Sequence, residues 1–182
     1  REGDVIVLLG DDGGNAGLGG SEYQALKAGR LGGPLPMISL EAEKKLQRLV
    51  LELARAHVLA SAHDASDGGL AVALVECCTT SHDGTLVGAR VTLPAGRGAT
   101  PVASSLFGEA PSRILVSTRK EHAAGVMISA RAAGVAAMEI GHTTEAGEGA
   151  MLSISILSGP EIALRAVDLE AARQSCLEGI VS

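Results

Sequence analysis

The five residues Val5–Leu9, "VIVLL", are apolar at every position and sit between Gly3 and Gly10. An alternating strand buries one face, whereas a strand that is apolar throughout has to be covered on both. The run therefore requires a sheet with packing on two sides, and that requirement governs the rest of the chain. The covering material is restricted too. With one Phe, one Tyr and no Trp among 182 residues, aliphatic side chains and alanine must close the core. An apolar fraction of 46% and a charged fraction of 20% are those of an ordinary globular domain. The length suits one domain with its own core.

The remaining segments supply the cover. Ser21 and Gln24 form the S-x-x-Q capping box of a helix that closes at Gly29 or Gly32. The connector "GGPLPMIS", residues 32–39, is barred from regular helix by its two prolines. Ser39 caps the longest helix, Leu40 to about His57, whose buried stripe is Leu46, Leu49, Val50 and Leu53. Glu41 and Glu43 lie near its positive end, and Arg55 and His57 near its negative end. Leu59–His63 reads as a strand and Leu70–Cys78 as a helix. Leu86–Leu93 alternates, with Val87, Ala89 and Val91 on one face and Arg90 and Thr92 on the other. A short helical turn then leads into "SLFGEAPSR". Next come strand Ile114–Ser117, helix Lys120–Ala133 and strand Val135–Ile140. The loop "GHTTEAGEGA" leads to strand Met151–Leu157, and a helix through Asp168–Leu177 closes the chain. Helices and strands interleave without strict βαβ alternation, so the expected class is α+β: a mixed β-sheet layered with helices.

Several functions are excluded early. A net charge of −6 repels a polyanion, and the rings needed to stack on bases are missing, so nucleic acid is not the partner. No apolar run approaches the length of a membrane span, and no signal peptide opens the chain. The three cysteines, with Cys77 and Cys78 adjacent, fit neither a disulfide framework nor a metal-ligand spacing. Cys77 and Cys78 read as small buried side chains in a helix, and the cysteine usage as that of a reducing, cytoplasmic compartment. The chain starts without an initiator Met and almost at once in a strand. The expectation is a single domain, residues 1–182, cut from a longer polypeptide.

Chemistry concentrates in "SAHDASDGGLAVAL", Ser61–Leu74. Here His63, Asp64 and Asp67 fall in the crease between a strand and a helix. Asp64 is expected at the strand's C-terminal tip and Asp67 at or just before the helix start. Gly68 and Gly69 leave that helix end bare, and its amides and dipole attract an anion. Two carboxylates there would repel the anion unless a divalent cation bridges them. Mg²⁺ takes one or two carboxylates plus phosphates, so the pattern suits a magnesium–phosphate group. The plainer and commoner account makes Ser66 or Asp67 the N-cap and Asp64 an Asx turn. His63 alone is more often a hydrogen-bonded, half-buried imidazole than a catalyst. "GDDGGNAGLGGSE", Gly10–Glu22, is neither a Walker A motif nor a G-x-G-x-x-G in register. Asp11 and Asp12 would again require a metal for phosphate, and a plain loop before a capped helix accounts for it equally well. "FGEAPSR", Phe107–Arg113, is either a polar ligand clamp or an ion pair fixing a loop, the latter being commoner. "SHDG", Ser81–Gly84, lacks the other ligands of a metal hydrolase.

Taken in order, "GLGGSEY" (Gly17–Tyr23), "SAHDASDGGLAVAL" and "SLFGEAPSRILVS" (Ser105–Ser117) resemble the phosphoribosylformylglycinamidine synthase family. The likeness is to the last domain of its synthetase subunit, of the C-terminal type shared with aminoimidazole ribonucleotide synthase, over nearly the whole chain. It implies an aminoimidazole ribonucleotide synthase C-terminal-domain-like fold. For the intact enzyme it implies an ATP-dependent carbon–nitrogen ligase of de novo purine biosynthesis. That enzyme converts formylglycinamide ribonucleotide to its amidine with Mg²⁺ and glutamine-derived ammonia. The implied partners are the remaining synthetase domains and a glutaminase subunit or domain.

The resemblance places the catalytic histidines in other domains, so no catalytic residue is expected here and the isolated chain is expected to be inactive. It matches Asp64 to a magnesium-holding acid, with Asp67 beside it. Gly19, Gly20, Ser21, Ser66, Gly68, Gly69, Glu109, Ser112 and Arg113 become the expected contacts of an auxiliary ATP or ADP. Glu109, Ala110 and Pro111 align with the family's substrate-binding Glu-Ser-Gln. Ala110 and Pro111 offer no polar side chain, and Pro111 no N–H, which argues against substrate binding in this half. Glu109, Ser112 and Arg113 are then expected to fix the loop against a partner domain. The alternatives are another member of the superfamily, of the aminoimidazole ribonucleotide synthase, thiamine-phosphate kinase or selenophosphate synthetase type, or a non-catalytic binding module. A face left open by a missing domain would let the isolated chain form a homodimer.

Overall fold

The structure, a computed structural model, describes residues 1–10, 17–81, 83–96, 100–157 and 159–181. Asp11 and Asp12 of the glycine-rich loop and His82 of "SHDG" lie outside the described residues.

The apolar run is β1 (Val5–Gly10), and it does lie inside a sheet covered on both sides. The other strands are β2 (Leu59–Asp64), β3 (Val87–Leu93), β4 (Arg113–Thr118), β5 (Ala137–Ala146), β6 (Met151–Ile156) and β7 (Glu161–Arg165). They form one seven-stranded sheet in the order β2-β4-β1-β5-β3-β6-β7. Five neighbouring pairs are antiparallel, and β3 runs parallel to β6. Side chains of β1 alternate between two cores. Ile6 and Leu8 pack with Leu70 and Leu74 of α3 (Gly69–Thr79) and Leu106 of α4 (Pro101–Phe107). Val5, Val7 and Leu9 pack with α2 (Leu40–Arg55) and α5 (Lys120–Ala133) on the opposite face. Each such side chain contributes roughly 1.5–3 kcal/mol when fully buried, so the doubly covered strand is the centre of the molecule. Leu169 of α6 (Ala166–Val181) packs on the first core. The class is α+β with a mixed sheet, as the interleaved pattern required.

Helix α2 keeps its expected stripe: Leu46, Leu49 and Leu53 are buried and Val50 packs at the rim. Ser39 caps it by accepting from the Ala42 N–H at 3.3 Å. Helix α1 (Glu22–Ala28) stands outside both cores, and none of its residues is buried. Ser21 caps it, but Gln24 reaches past Ser21 and accepts from the Gly20 N–H at 3.1 Å. The capping box therefore closes one residue upstream.

Two features depart from the sequence pattern. The stretch expected as a loop, residues 141–150, is strand as far as Ala146. Thr143 and Thr144 favour extended backbone, and β5 is long because it pairs first with β1 and then with β3. Gly141 permits that second pairing, since a Cβ there would lie 2.0 Å from the Arg90 carbonyl oxygen. The second departure is β7, an unforeseen edge strand. It has charges at both ends and largely exposed side chains, the polar dress that blunts sheet edges and hides the strand period.

Candidate functional site

At one end of the sheet β1 finishes at Gly10, β2 finishes at Asp64 and β4 begins at Arg113, with Gly10 and Arg113 directly paired. The loops leaving these ends enclose an open cleft of about 420 Å³ whose lining includes Glu43, Asp64, Ser66, Asp67, Glu109 and Ser112. Two stretches that are far apart in sequence are thus brought to one place.

Asp64 is the last residue of β2 and Asp67 lies two residues before α3. Both are exposed, and among the described residues neither carboxylate makes a hydrogen bond or ion pair. The N-cap of α3 is Gly68, at φ 77°, with no side-chain cap. The capping role foreseen for Ser66 or Asp67 is therefore not what these residues do, and the helix tip is bare.

The tip nevertheless has an anion. The Gly68 N–H donates to Glu109 Oε1 at 2.8 Å, and the Glu22 N–H at the start of α1 donates to the same oxygen at 2.9 Å. The adjoining glycine makes room for this arrangement. A Cβ on Gly69, itself at φ 68°, would meet the carbonyl oxygens of Gly108 at 2.8 Å and Leu106 at 2.9 Å.

The loop that presents Glu109 is fixed from beneath. Arg113, only 2% exposed, donates through Nη2 to the Gly108 carbonyl and through Nε to the Ala110 carbonyl at 3.3 Å. Ser112, at φ 61°, donates from Oγ to Glu43 Oε2 at 2.5 Å. Its carbonyl oxygen presses on Gly10, where a Cβ would lie 1.8 Å away. Glu109, Ser112 and Arg113 do fix a loop. Within the chain, Glu109 meets the tips of α1 and α3, Ser112 meets α2, and Arg113 meets the loop's own carbonyls.

Gly19, Gly20 and Ser21 are held elsewhere. Ser21 is fully buried; its Oγ donates to the Leu18 carbonyl at 2.7 Å and accepts from the Gln24 N–H at 3.2 Å. The Gly20 N–H also donates to the Gly32 carbonyl at 2.8 Å, and a Cβ on Gly19 would lie 2.1 Å from the Pro34 carbonyl oxygen. Gly19 and Gly20 clasp the base of the connector, and the single hydroxyl hydrogen of Ser21 is committed to Leu18. Tyr23 stacks on Phe107, ring centroids 4.9 Å apart, which ties α1 to α4. Sequence reading missed this pair and the Glu43–Ser112 bond, because both join residues remote in the chain.

His63 is the hydrogen-bonded imidazole expected. Its Nδ1 lies 2.7 Å from the Asp64 carbonyl oxygen, which can only accept, so Nδ1 carries the hydrogen. Its Nε2 lies 3.4 Å from Glu76. Cys77 and Cys78 are free thiols. Burial, aided by the Glu76 charge at Cys77 and by the neighbouring Cys77 at Cys78, pushes them up to about 11 and about 12. They are not nucleophiles at neutral pH. Among the described residues no group of three or more His, Cys, Asp or Glu is arranged to hold a metal ion, and no helix is long and apolar enough to cross a membrane.

A mixed sheet layered with helices, with its cleft between the β2–α3 and α4–β4 loops, defines a class. The model of the AIR synthase related protein family, C-terminal domain, matches residues 1–153, and the chain belongs to that family. Within it, the chain is similar to the phosphoribosylformylglycinamidine synthase subunit PurL of Methylocella silvestris. The two are 43% identical over 157 residues, 84% of this chain and 20% of that protein. An Anaeromyxobacter subunit PurL is 42% identical over 76% of this chain and 18% of its own length. The chain thus spans about a fifth of the curated relatives it matches. Among solved structures, Thermotoga maritima PurL complexed with FGAR superposes with a TM-score of 0.72 at 22% identity, over 93% of this chain and 28% of that one. The same protein complexed with ATP gives 0.71 at 20% identity. At such identities the likeness is one of fold.

Proposed function

We propose that residues 1–182 form the last C-terminal-type domain of a formylglycinamide ribonucleotide amidine synthase. The whole polypeptide would join ammonia released from glutamine to its substrate at the expense of ATP, in purine biosynthesis. The observation that carries this reading is the 43% identity across 84% of the chain, together with the location of Asp64, Ser66 and Asp67 of the H-D-x-S-D-G-G-L motif on a cleft. In this reading the other synthetase domains and a glutaminase are its partners, and the free thiols of Cys77 and Cys78 suit a reducing cytoplasm.

The PurL structures in complex with ATP, ADP and AMPPCP support a nucleotide in the parent protein. Mg²⁺ fits the cleft mouth in one limited sense. Asp64 and Asp67 are two uncommitted carboxylates, the number Mg²⁺ usually takes from protein before phosphate oxygens and water complete its shell. A bound Mg²⁺ would supply charge neutralisation for nucleotide phosphates. The chain's own part would be to hold the two acids at the strand tip and the helix entrance.

The test uses the full-length polypeptide that carries this chain. Supplied with ATP, Mg²⁺, formylglycinamide ribonucleotide and ammonia it should form the amidine, while the 182-residue chain alone should not. Turnover by the chain alone, or a full-length protein that refuses this substrate, would overturn the reading. Asp64→Ala and Asp67→Ala should each weaken magnesium-dependent nucleotide binding by the full-length protein at least several-fold. Unchanged binding removes the two acids from the proposal.

A further inference from the structure

Helix tips attract anions because their first N–H groups lack intrahelical partners and the dipole is positive there. The α3 tip has no side-chain cap of its own, yet its Gly68 N–H is satisfied by a carboxylate 41 residues away. The same oxygen, Glu109 Oε1, takes the Glu22 N–H of α1. One half-buried oxygen atom therefore serves two helices whose tips converge. Helix α1 has few other attachments. It buries no residue, and beyond this oxygen it is held by the Tyr23–Phe107 stack and the clasp of Gly20 on Gly32.

We propose that Glu109 is a built-in anion: it occupies the amide seat shared by α1 and α3, latches α1 to the body, and shuts that seat to phosphate. The loop is built for this task. Arg113 holds the carbonyls on either side of Glu109, Ser112 is pinned by Glu43, and Gly69 lets the loop backbone touch the helix. The inference stands apart from the synthase reading, because it rests on contacts within the chain alone. Its consequence for that reading is that Asp64 and Asp67 would hold any Mg²⁺, which would supply the charge neutralisation for phosphates, while the Gly68 amide of α3 stays with Glu109.

The experiment follows the amides of Glu22 and Gly68 by NMR in the full 182-residue chain. In Glu109→Ala both should exchange roughly tenfold faster, the change expected for loss of a hydrogen bond to a charged acceptor. The Ala42 amide, capped independently by Ser39, is the control and should not change. Inorganic phosphate should then shift the Gly68 resonance in Glu109→Ala and leave wild type untouched. Glu109→Gln keeps an acceptor oxygen without the charge, so it should restore protection of both amides and respond to phosphate more weakly than the alanine variant. Glu109→Ala with wild-type exchange at both amides overturns the latch. A phosphate response in wild type equal to that of the variant overturns the closed seat. If Glu109→Ala does not fold, Glu109→Gln decides alone: Glu22 and Gly68 amide resonances identical to wild type, although the acceptor has lost its charge, overturn the latch, and a phosphate-induced shift of Gly68 in wild type overturns the closed seat.

Discussion

Gly69 is the residue on which the cleft depends most for having no side chain. Its φ of 68° lies in the left-handed region, and a Cβ would meet two backbone carbonyl oxygens within 3 Å. The Gly108 oxygen is held from below by Arg113 and the Leu106 oxygen belongs to helix α4, so neither retreats cheaply. Gly3 is the natural contrast, since its φ is 84° but a Cβ there would meet nothing within 4 Å. Left-handed backbone alone costs an L-residue about 1–2 kcal/mol, and overpacking adds about 1–3 kcal/mol. Gly69→Ala should therefore destabilise by about 2–5 kcal/mol and Gly3→Ala by no more than about 2 kcal/mol, read as shifts in urea midpoint. Equal shifts would mean that the loop gives way. The sequence made the bareness of Gly68 and Gly69 legible, and with it the pull on an anion. It did not reveal which anion, because Glu109 reaches Gly68 and Glu22 across 41 and 87 residues, beyond any local pattern.

Among the elements, α2 was readable because sixteen residues with a helical stripe, a serine cap and matched end charges all agree. Strand β7 was not, since five mostly exposed residues carry no period, and the full length of β5 depends on two pairing partners. Helix α3 hides a further property. Its adjacent thiols lie at about 11 and about 12 in the folded chain, against an ordinary 9.0. On raising the pH the unfolded chain loses these protons first, near 9, so the folded state holds more protons between about 9 and 12 and stability falls there. Below that window their contribution is fully present and flat. Urea midpoints measured from pH 7 to 10.5 should decline above pH 9, and the decline should be shallower in the Cys77→Ala/Cys78→Ala chain. An identical decline in both proteins would assign the alkaline loss to other groups.

At the level of the whole molecule, two cores share one strand, and one segment belongs to neither. Val7 and Leu9 on one side and Leu8 on the other are at most 1% exposed, so neither face can open without exposing β1 to water. Residues 22–40 are the opposite case. Helix α1 buries nothing, and Leu26, Leu31, Leu35, Met37, Ile38 and Leu40 are all more than half exposed. Local opening is easiest where few apolar contacts must be broken. Hydrogen exchange should thus divide the chain. Amides of β1, β4 and β5 should exchange only through global unfolding, with one common denaturant dependence. Those of α1 beyond Glu22 should exchange orders of magnitude faster and be nearly insensitive to low denaturant. Weakening the shared strand with Leu8→Ala, about 2–5 kcal/mol for a buried leucine, should speed the first class in proportion and leave the second unchanged. If α1 instead accelerates along with the sheet, it is part of the cooperative unit, and the few bonds that attach it are stronger than their number implies.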